Sequence, residues 1–189
     1  MVSFTQPTHP DRLLVLKSDA AYKSSAQSLI SLPAGALFAK ITTATYVDET
    51  TYTSVATGQD SRIELNSDLV FCNHSCKPSL VFDMTRFEVR VVDDRDLNVG
   101  DPLTFFYPAS EWSMVQPFEC ECDAGAECLG YISGARDIDL HVLKKYWLNQ
   151  HILKLLEAKQ SEGNKMGTEA AGSDSHLCDL PLGTIGALA

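Results

Sequence analysis

Three of the chain's six cysteines fall within nine positions, at Cys120, Cys122 and Cys128, with Asp123, Gly125 and Gly130 supplying turn-forming residues around them. Thiols this dense in a glycine-bearing loop have the layout of a zinc site that lacks one ligand, because a closed structural zinc site takes four ligands in a tetrahedron. The fourth must come from elsewhere in the chain, and Cys72, Cys76, Cys178 or a histidine could supply it. The competing reading is three incidental surface thiols, but exposed free cysteines oxidise and cross-link. The thiols are expected to be reduced. Met1 to Asp11 carries no apolar run of a secretory signal, and no window reaches the roughly 18 apolar residues a membrane span requires. A nuclear or cytoplasmic location, without membrane contact, is the expectation, and disulfides are rare in those compartments.

The chain has 189 residues, enough for one domain with its own core, and 44% apolar with 21% charged residues is an ordinary globular balance. Its formal charge of −10 argues against a direct nucleic-acid binder, which needs clustered Lys and Arg to neutralise phosphates. An acidic surface suits a basic partner such as a lysine-rich peptide, and it also serves plain solubility.

Residues 12 to 110 read as short strands. Leu13-Leu14-Val15-Leu16 is an apolar run of strand length, and residues 28–32 and 36–41 flank a turn at Pro33-Ala34-Gly35. Residues 46–55 are rich in Thr, Tyr and Val, which favour strand. Arg62-Ile63-Glu64-Leu65 and Phe87-Glu88-Val89-Arg90-Val91 alternate with period two, and the turn at residues 98–102 leads into Leu103-Thr104-Phe105-Phe106-Tyr107. After residue 135 the period changes. Leu140, Leu143, Trp147, Leu148, Ile152, Leu155 and Leu156 form the apolar stripe of an amphipathic helix, or of two helices broken near Asn149, and the stripe is expected to pack. The expected class is therefore mostly β, built of small sheets, with a C-terminal helical segment. From Ser161 onward few large residues occur, and a flexible tail is expected.

The segment Asn73-His74-Ser75-Cys76-Lys77-Pro78-Ser79 resembles the Asn-His-Ser-Cys-x-Pro-Asn motif of SET-domain methyltransferases. Gly100-Asp101-Pro102-Leu103-Thr104-Phe105-Phe106-Tyr107 resembles that family's second motif, Gly-Glu-x-Leu-Thr-(Phe/Tyr)-Asp-Tyr. Phe118-Glu119-Cys120-Glu121-Cys122, Cys128 and Gly130-Tyr131-Ile132 resemble its post-SET cysteine module. Three motifs in the family's order are far more specific than any one of them. The resemblance implies a β-clip of small curled sheets in which the second motif threads beneath a loop near the first, a pseudoknot that brings Asn73 and Tyr107 to one site. It divides the chain into a SET domain over 12–118, a post-SET zinc module over 119–134, a helical segment over 135–160 and a tail over 161–189. No counterpart of the pre-SET region is present.

The resemblance also implies an activity: methyl transfer from S-adenosylmethionine to an amine, with the lysine side chain of a basic protein or peptide as the first expectation. Tyr107 takes the position of the active-site tyrosine and Phe105 that of a neighbouring Phe or Tyr which sets room for successive methylations. Asn73, His74 and Tyr107 are expected to hold the cofactor, and Phe105, Phe106, Tyr107 and Trp112 to wall an apolar channel. Cys76 is implied as the fourth zinc ligand beside Cys120, Cys122 and Cys128. Cys72 is expected to be a small buried hydrophobe, and Cys178 has no assigned role. Several positions depart from the family's pattern. Residues 23–28 lack its Gly-x-Gly element, Phe106 replaces an Asp, Ser79 replaces an Asn, and Pro108 follows the tyrosine. Five residues rather than four separate Cys122 from Cys128, and residues 41–68 leave little chain for the insert that grips a substrate peptide. The compact form leaves two alternatives: a methyltransferase for a small-molecule amine or other metabolite, and an inactive binding module on the same fold.

Overall fold

The computed structural model describes residues 4–169, with side chains in the last helix described to residue 162. β1 (Leu13–Leu16) and β2 (Ser25–Ser28) pair as an antiparallel ribbon. β3 (Leu37–Lys40) follows the expected turn. β4 (Thr45–Val47), β5 (Val55–Ala56) and β6 (Arg62–Glu64) form a three-stranded antiparallel sheet with β6 at its centre. A 3-10 turn over Asp68–Phe71 leads into β7 (Asn73–His74), and β8 (Leu80–Asp83) and β9 (Glu88–Val91) make a hairpin. Then come β10 (Thr104–Phe105), a 3-10 turn over Tyr107–Ala109, and the antiparallel pair β11 (Phe118–Glu119) and β12 (Tyr131–Ile132), which brackets the cysteine loop. The helices are the single-turn α1 (Leu140–Leu143) and α2 (Gln150–Glu169). None of the described helices is long and apolar enough to cross a membrane.

The order β3-β9-β8-β10-β7 of the five-stranded sheet positions the site. β10 lies between β7 and β8, parallel to both, with Thr104 opposite Asn73 and Phe105 opposite His74. Because β7 and β8 are consecutive in the chain, the connection at residues 75–79 has to cross over β10. It is fastened there by Ser75 N–H donating to the Phe105 carbonyl at 3.1 Å and Ser79 N–H to the Thr104 carbonyl at 3.1 Å. The Ser79 hydroxyl accepts from Thr104 N–H at 3.0 Å and donates to the Pro102 carbonyl at 2.8 Å, so the short serine laces the crossing on both sides.

Alternation along the extended chain at the end of β10 sends the neighbouring aromatics Phe105 and Phe106 into two separate cores. Phe105 enters the first, with Phe38, Ile63, Leu80, Phe82, Val89 and Leu103. Phe106 enters the second, with Ala109, Ala135, Leu143, Leu148, Ile152 and Leu156. Each fully buried Leu, Ile or Phe side chain contributes about 1.5–3 kcal/mol. Both cores lie in a compact unit that closes at Leu156; a second unit begins at Glu157.

Several boundaries differ from the sequence reading. The strand expected over 28–32 sits earlier, at Ser25–Ser28, where it pairs with β1. Residues 46–55 contribute only the ends of two strands, joined by a loop in which the Thr51 and Thr53 hydroxyls bond each other and Glu64, and the Ser54 hydroxyl donates to the Thr51 carbonyl. The run Leu103 to Tyr107 is a strand only at Thr104–Phe105, because Pro108 cannot donate to a ladder and the chain turns there. The break near Asn149 is present. Trp147, expected on the packing stripe, is 40% exposed; Tyr146 fills the adjoining place instead. The helix also continues through 161–169, which the sequence reading assigns to the tail, because isolated glycines such as Gly163 and Gly167 weaken a helix by about 1 kcal/mol each without ending it. Residues 170–189, with Cys178, lie outside the described residues.

Candidate functional site

The crossing over β10 brings Cys76, in the loop after β7, to the cysteine loop between β11 and β12. The sulfurs of Cys76, Cys120, Cys122 and Cys128 all lie within 4.8 Å of one another. A tetrahedral ion bound at about 2.3 Å from each sulfur separates its ligands by about 3.8 Å. Cys76 Sγ stands 3.9 Å from Cys120 Sγ. The four thiols therefore fit a metal ion, and they can hold one. Backbone donors already aim at the sulfurs: Leu129 N–H at Cys76 Sγ, 3.3 Å, and Cys76 N–H at Cys122 Sγ, 3.4 Å. Burial raises the Cys122 thiol, but hydrogen bonds from the Cys76 and Ala124 amides and from neighbouring thiols outweigh it and bring the group down to about 7. Burial pushes the Cys76 thiol up to about 11 and the Cys120 thiol further still. Cys122 is thus poised to ionise before Cys76 and Cys120, the asymmetry expected when a single thiolate collects the donors. Cys72 stands apart from this cluster, 1% exposed, and burial pushes its thiol to about 12, the small buried hydrophobe the sequence suggests.

Beside this cluster the paired strands set Asn73, His74 and Tyr107 together. Tyr107 is half-buried. Its Oη donates to the Cys72 carbonyl at 3.4 Å, and burial, then the nearby Cys72 thiol, hold its phenol well above the ordinary tyrosine range. His74 is buried, and desolvation pushes its imidazole down to about 4, so it is neutral at pH 7. Its ring lies edge-on to Tyr107 and Phe118, with centroids at 5.3 Å and 5.7 Å. The Asn73 side-chain amide donates to the Ser24 carbonyl at 2.9 Å, fastening the segment that enters β2. That segment carries no glycine, and the left-handed backbone that glycine would adopt freely falls on Tyr22, φ 61°, at a cost of about 1–2 kcal/mol. The Tyr22 ring meets Tyr52 edge-on at 5.5 Å. Lys23, next in sequence, forms an exposed ion pair with Glu121 of the cysteine loop.

Phe105 stacks on Phe82 at 4.1 Å and lies 4.7 Å from the Tyr107 ring, so it forms the floor beneath the phenol. Phe106 does not join it. It faces the second core and stacks on Tyr146 at 3.7 Å. Trp112 packs against that same core and lines a cavity of about 290 Å³ with Arg62, Gln59 and His151. The single aromatic wall of Phe105, Phe106, Tyr107 and Trp112 expected from the sequence is therefore split, because the pleat alternates its members.

Two contributors have no role in the sequence reading, although Phe118 stands at the head of its third motif. Tyr146 Oη donates to the Cys76 carbonyl at 2.9 Å, holding the fourth thiol from the helical side. Phe118, two residues before the first cysteine of the loop, places its ring against His74 and Tyr107. The Phe-Glu-Cys spacing was the available signal for Phe118; nothing local marks Tyr146.

No family model matches this chain. Over 158 residues it is 58% identical to methyltransferase flvH of Aspergillus flavus, an alignment that covers 84% of this chain and 88% of that protein. At that identity and coverage the two chains share a fold and an ancestry, and the chain belongs to the same methyltransferase family as flvH.

Proposed function

We propose that this methyltransferase uses S-adenosylmethionine to methylate an amine, with the lysine side chain of a protein as its first candidate substrate and structural zinc on Cys76, Cys120, Cys122 and Cys128. The observation that carries the reading is the pairing of Asn73-His74 with Thr104-Phe105, which sets Tyr107 beside the first motif while the same loop delivers Cys76 to the other three sulfurs. The resemblance to SET-domain methyltransferases supports it independently.

When bound, S-adenosylmethionine supplies a methyl group activated by sulfonium. A site for such a cation favours neutral oxygens and aromatic faces, and the residues present fit. Tyr107 and the Cys72 carbonyl offer oxygens, Phe118 places an aromatic ring beside Tyr107, and neutral His74 adds no positive charge. Asn73, the main chain at His74 and Tyr107 would hold the cofactor. The amine would attack through its lone pair, so it must arrive as the free base; as the N–C bond forms the methyl–sulfur bond would break, leaving a neutral thioether, and the surplus proton of the amine would pass to water. With its phenol protonated, Tyr107 can orient the amine and steady the polarised methyl without accepting that proton. Phe105 fixes the depth of the phenol. Alignment of nucleophile, carbon and leaving group supplies much of the rate, of the order of 7–11 kcal/mol in well-oriented reactions.

A second reading, methylation of a small-molecule amine, is favoured by one observation. The chain between β3 and β7 is a short stretch of three strands of two or three residues, a 3-10 turn and the loops that join them, with no sizeable insert to grip a peptide. Purified zinc-loaded protein with methyl-labelled cofactor, offered protein panels in one arm and free amines and amino acids in another, separates the readings. Tyr107→Phe is expected to lower kcat at least about 100-fold with the cofactor still bound. Failure of the cofactor to bind at saturating concentration would remove both readings and leave the binding module.

A further inference from the structure

His74 uses both ring nitrogens inside the protein. Nδ1 lies 3.2 Å from the Tyr107 amide nitrogen, and that amide can only donate, so Nδ1 must be the unprotonated acceptor. The single ring proton of neutral imidazole then sits on Nε2, which points at Cys76 Sγ, 3.4 Å away. The opposite tautomer would set two N–H groups against each other at Tyr107. The Tyr107 amide has no ladder partner of its own, because β10 ends at Phe105 and the chain turns at Tyr107–Ala109. The ring is also clamped in orientation by Phe106, Tyr107 and Phe118 at 5.3–5.7 Å.

We infer that His74 is a positioning residue that couples the four-cysteine centre to Tyr107: Nε2–H donates to the Cys76 sulfur, Nδ1 receives the Tyr107 amide, and the state of the sulfur sets where the phenol stands. A metal-bound thiolate accepts a hydrogen bond more strongly than a thiol does, so metal binding tightens the grip on the ring and, through it, on the turn that carries Tyr107. The metal then has a role beyond holding the cysteine loop closed. With both nitrogens committed, the imidazole has none left for a cofactor; only its main chain is free to serve one. The inference rests on the proposed role of Tyr107 for its catalytic consequence, and on the cluster alone for its structural one.

Histidine-labelled protein loaded with cadmium-113 tests the structural half in the wild type. The expected result is the Nε2–H tautomer with a through-hydrogen-bond coupling between the metal and the His74 ring proton. The Nδ1–H tautomer, or an absent coupling, overturns the inference. Two variants divide the bridge. His74→Asn keeps an acceptor near the Nδ1 position and loses reach to the sulfur; His74→Gln places a donor near the Nε2 position and loses the Tyr107 amide. With cobalt in the centre, the sulfur-to-metal charge-transfer band should shift in His74→Asn and hold in His74→Gln. Both variants should lower kcat about tenfold or more with the KM for S-adenosylmethionine within about twofold. Unchanged kcat in both would overturn the coupling. If wild-type protein transfers no methyl group at all, the proposed function fails while the tautomer and the cobalt band still decide the bridge.

Discussion

Asn149 is fully buried, and its side chain spans three segments. Its amide donates to the carbonyls of Phe82 and Ala109 and to the Ser110 hydroxyl, each at 3.0 Å, and its Oδ1 accepts from Met84 N–H at 2.9 Å. Its own carbonyl starts α2 by accepting from the Ile152 and Leu153 amides. One residue thus joins the end of β8, the turn after Tyr107 and the helix that closes the second core. Asn149→Asp keeps the shape and the Met84 contact but turns an acceptor toward carbonyls that need a donor. It also buries a charge without a partner. The expected loss is at least about 3 kcal/mol, read as a lower midpoint in urea with an unchanged slope. A loss below about 1 kcal/mol would show that the three acceptors are satisfied some other way. In the sequence Asn149 is legible only as a helix break. Its partners lie far back in the chain, and no local pattern encodes them. Tyr146 and Trp147 make the same point: either fits the stripe by period, and only the three-dimensional place of Phe106 and Cys76 selects the tyrosine.

At the scale of elements, the weak point is the crossing of residues 112–113 by residues 131–138. Gly134 sits there with φ 124°, and a Cβ on it would lie 2.5 Å from the Trp112 carbonyl oxygen and 2.8 Å from Ser113 Cα. The main chains are tied on either side, with Met114 N–H donating to Ser133 O at 2.8 Å and Ala135 N–H to Glu111 O at 2.8 Å, so the contact cannot open locally. Gly134→Ala combines a forbidden backbone angle with a backbone clash and should cost about 2–4 kcal/mol, visible as a drop in Tm and in the yield of folded protein. A neutral substitution would mean the crossing gives way freely. The same scale explains which elements could be read in advance. β1, β3, β6 and β9 carry apolar runs or clean alternation and fall close to where the sequence places them. β8 carries the apolar run Leu80-Val81-Phe82 but is not singled out in the sequence reading, where this stretch follows directly on the first motif. β7 and β10 are two residues each, too short to show any period. Their pairing was legible only through the motifs that occupy them.

For the molecule as a whole, the question is what keeps a late cysteine loop against an early one. β11 and β12 share only a two-residue pairing, and the Lys23–Glu121 ion pair is exposed and screened by solvent. Neither is strong enough to hold residues 120–128 to Cys76. The sulfur cluster is, if it binds metal, because the binding energy of a closed thiolate site is delivered to whatever chain segments it joins. Separate stretches of sequence meet there, so removing any ligand should release the same loop. Cys76→Ser should abolish stoichiometric metal binding and lower Tm, although residue 76 lies far from the other three ligands in sequence. Cys72→Ala, four positions earlier and outside the cluster, should keep one ion per chain and cost only the ordinary amount for trimming a small buried side chain, about 1 kcal/mol. A chelator should bring wild-type protein to the Tm of the Cys76→Ser variant and leave that variant unmoved, and added zinc should restore only the wild type. Metal content and thermal melts on the three proteins read this directly. If Cys72→Ala loses the ion while Cys76→Ser keeps it, the crossing over β10 delivers the wrong thiol and the long-range tie that organises the molecule is mistaken.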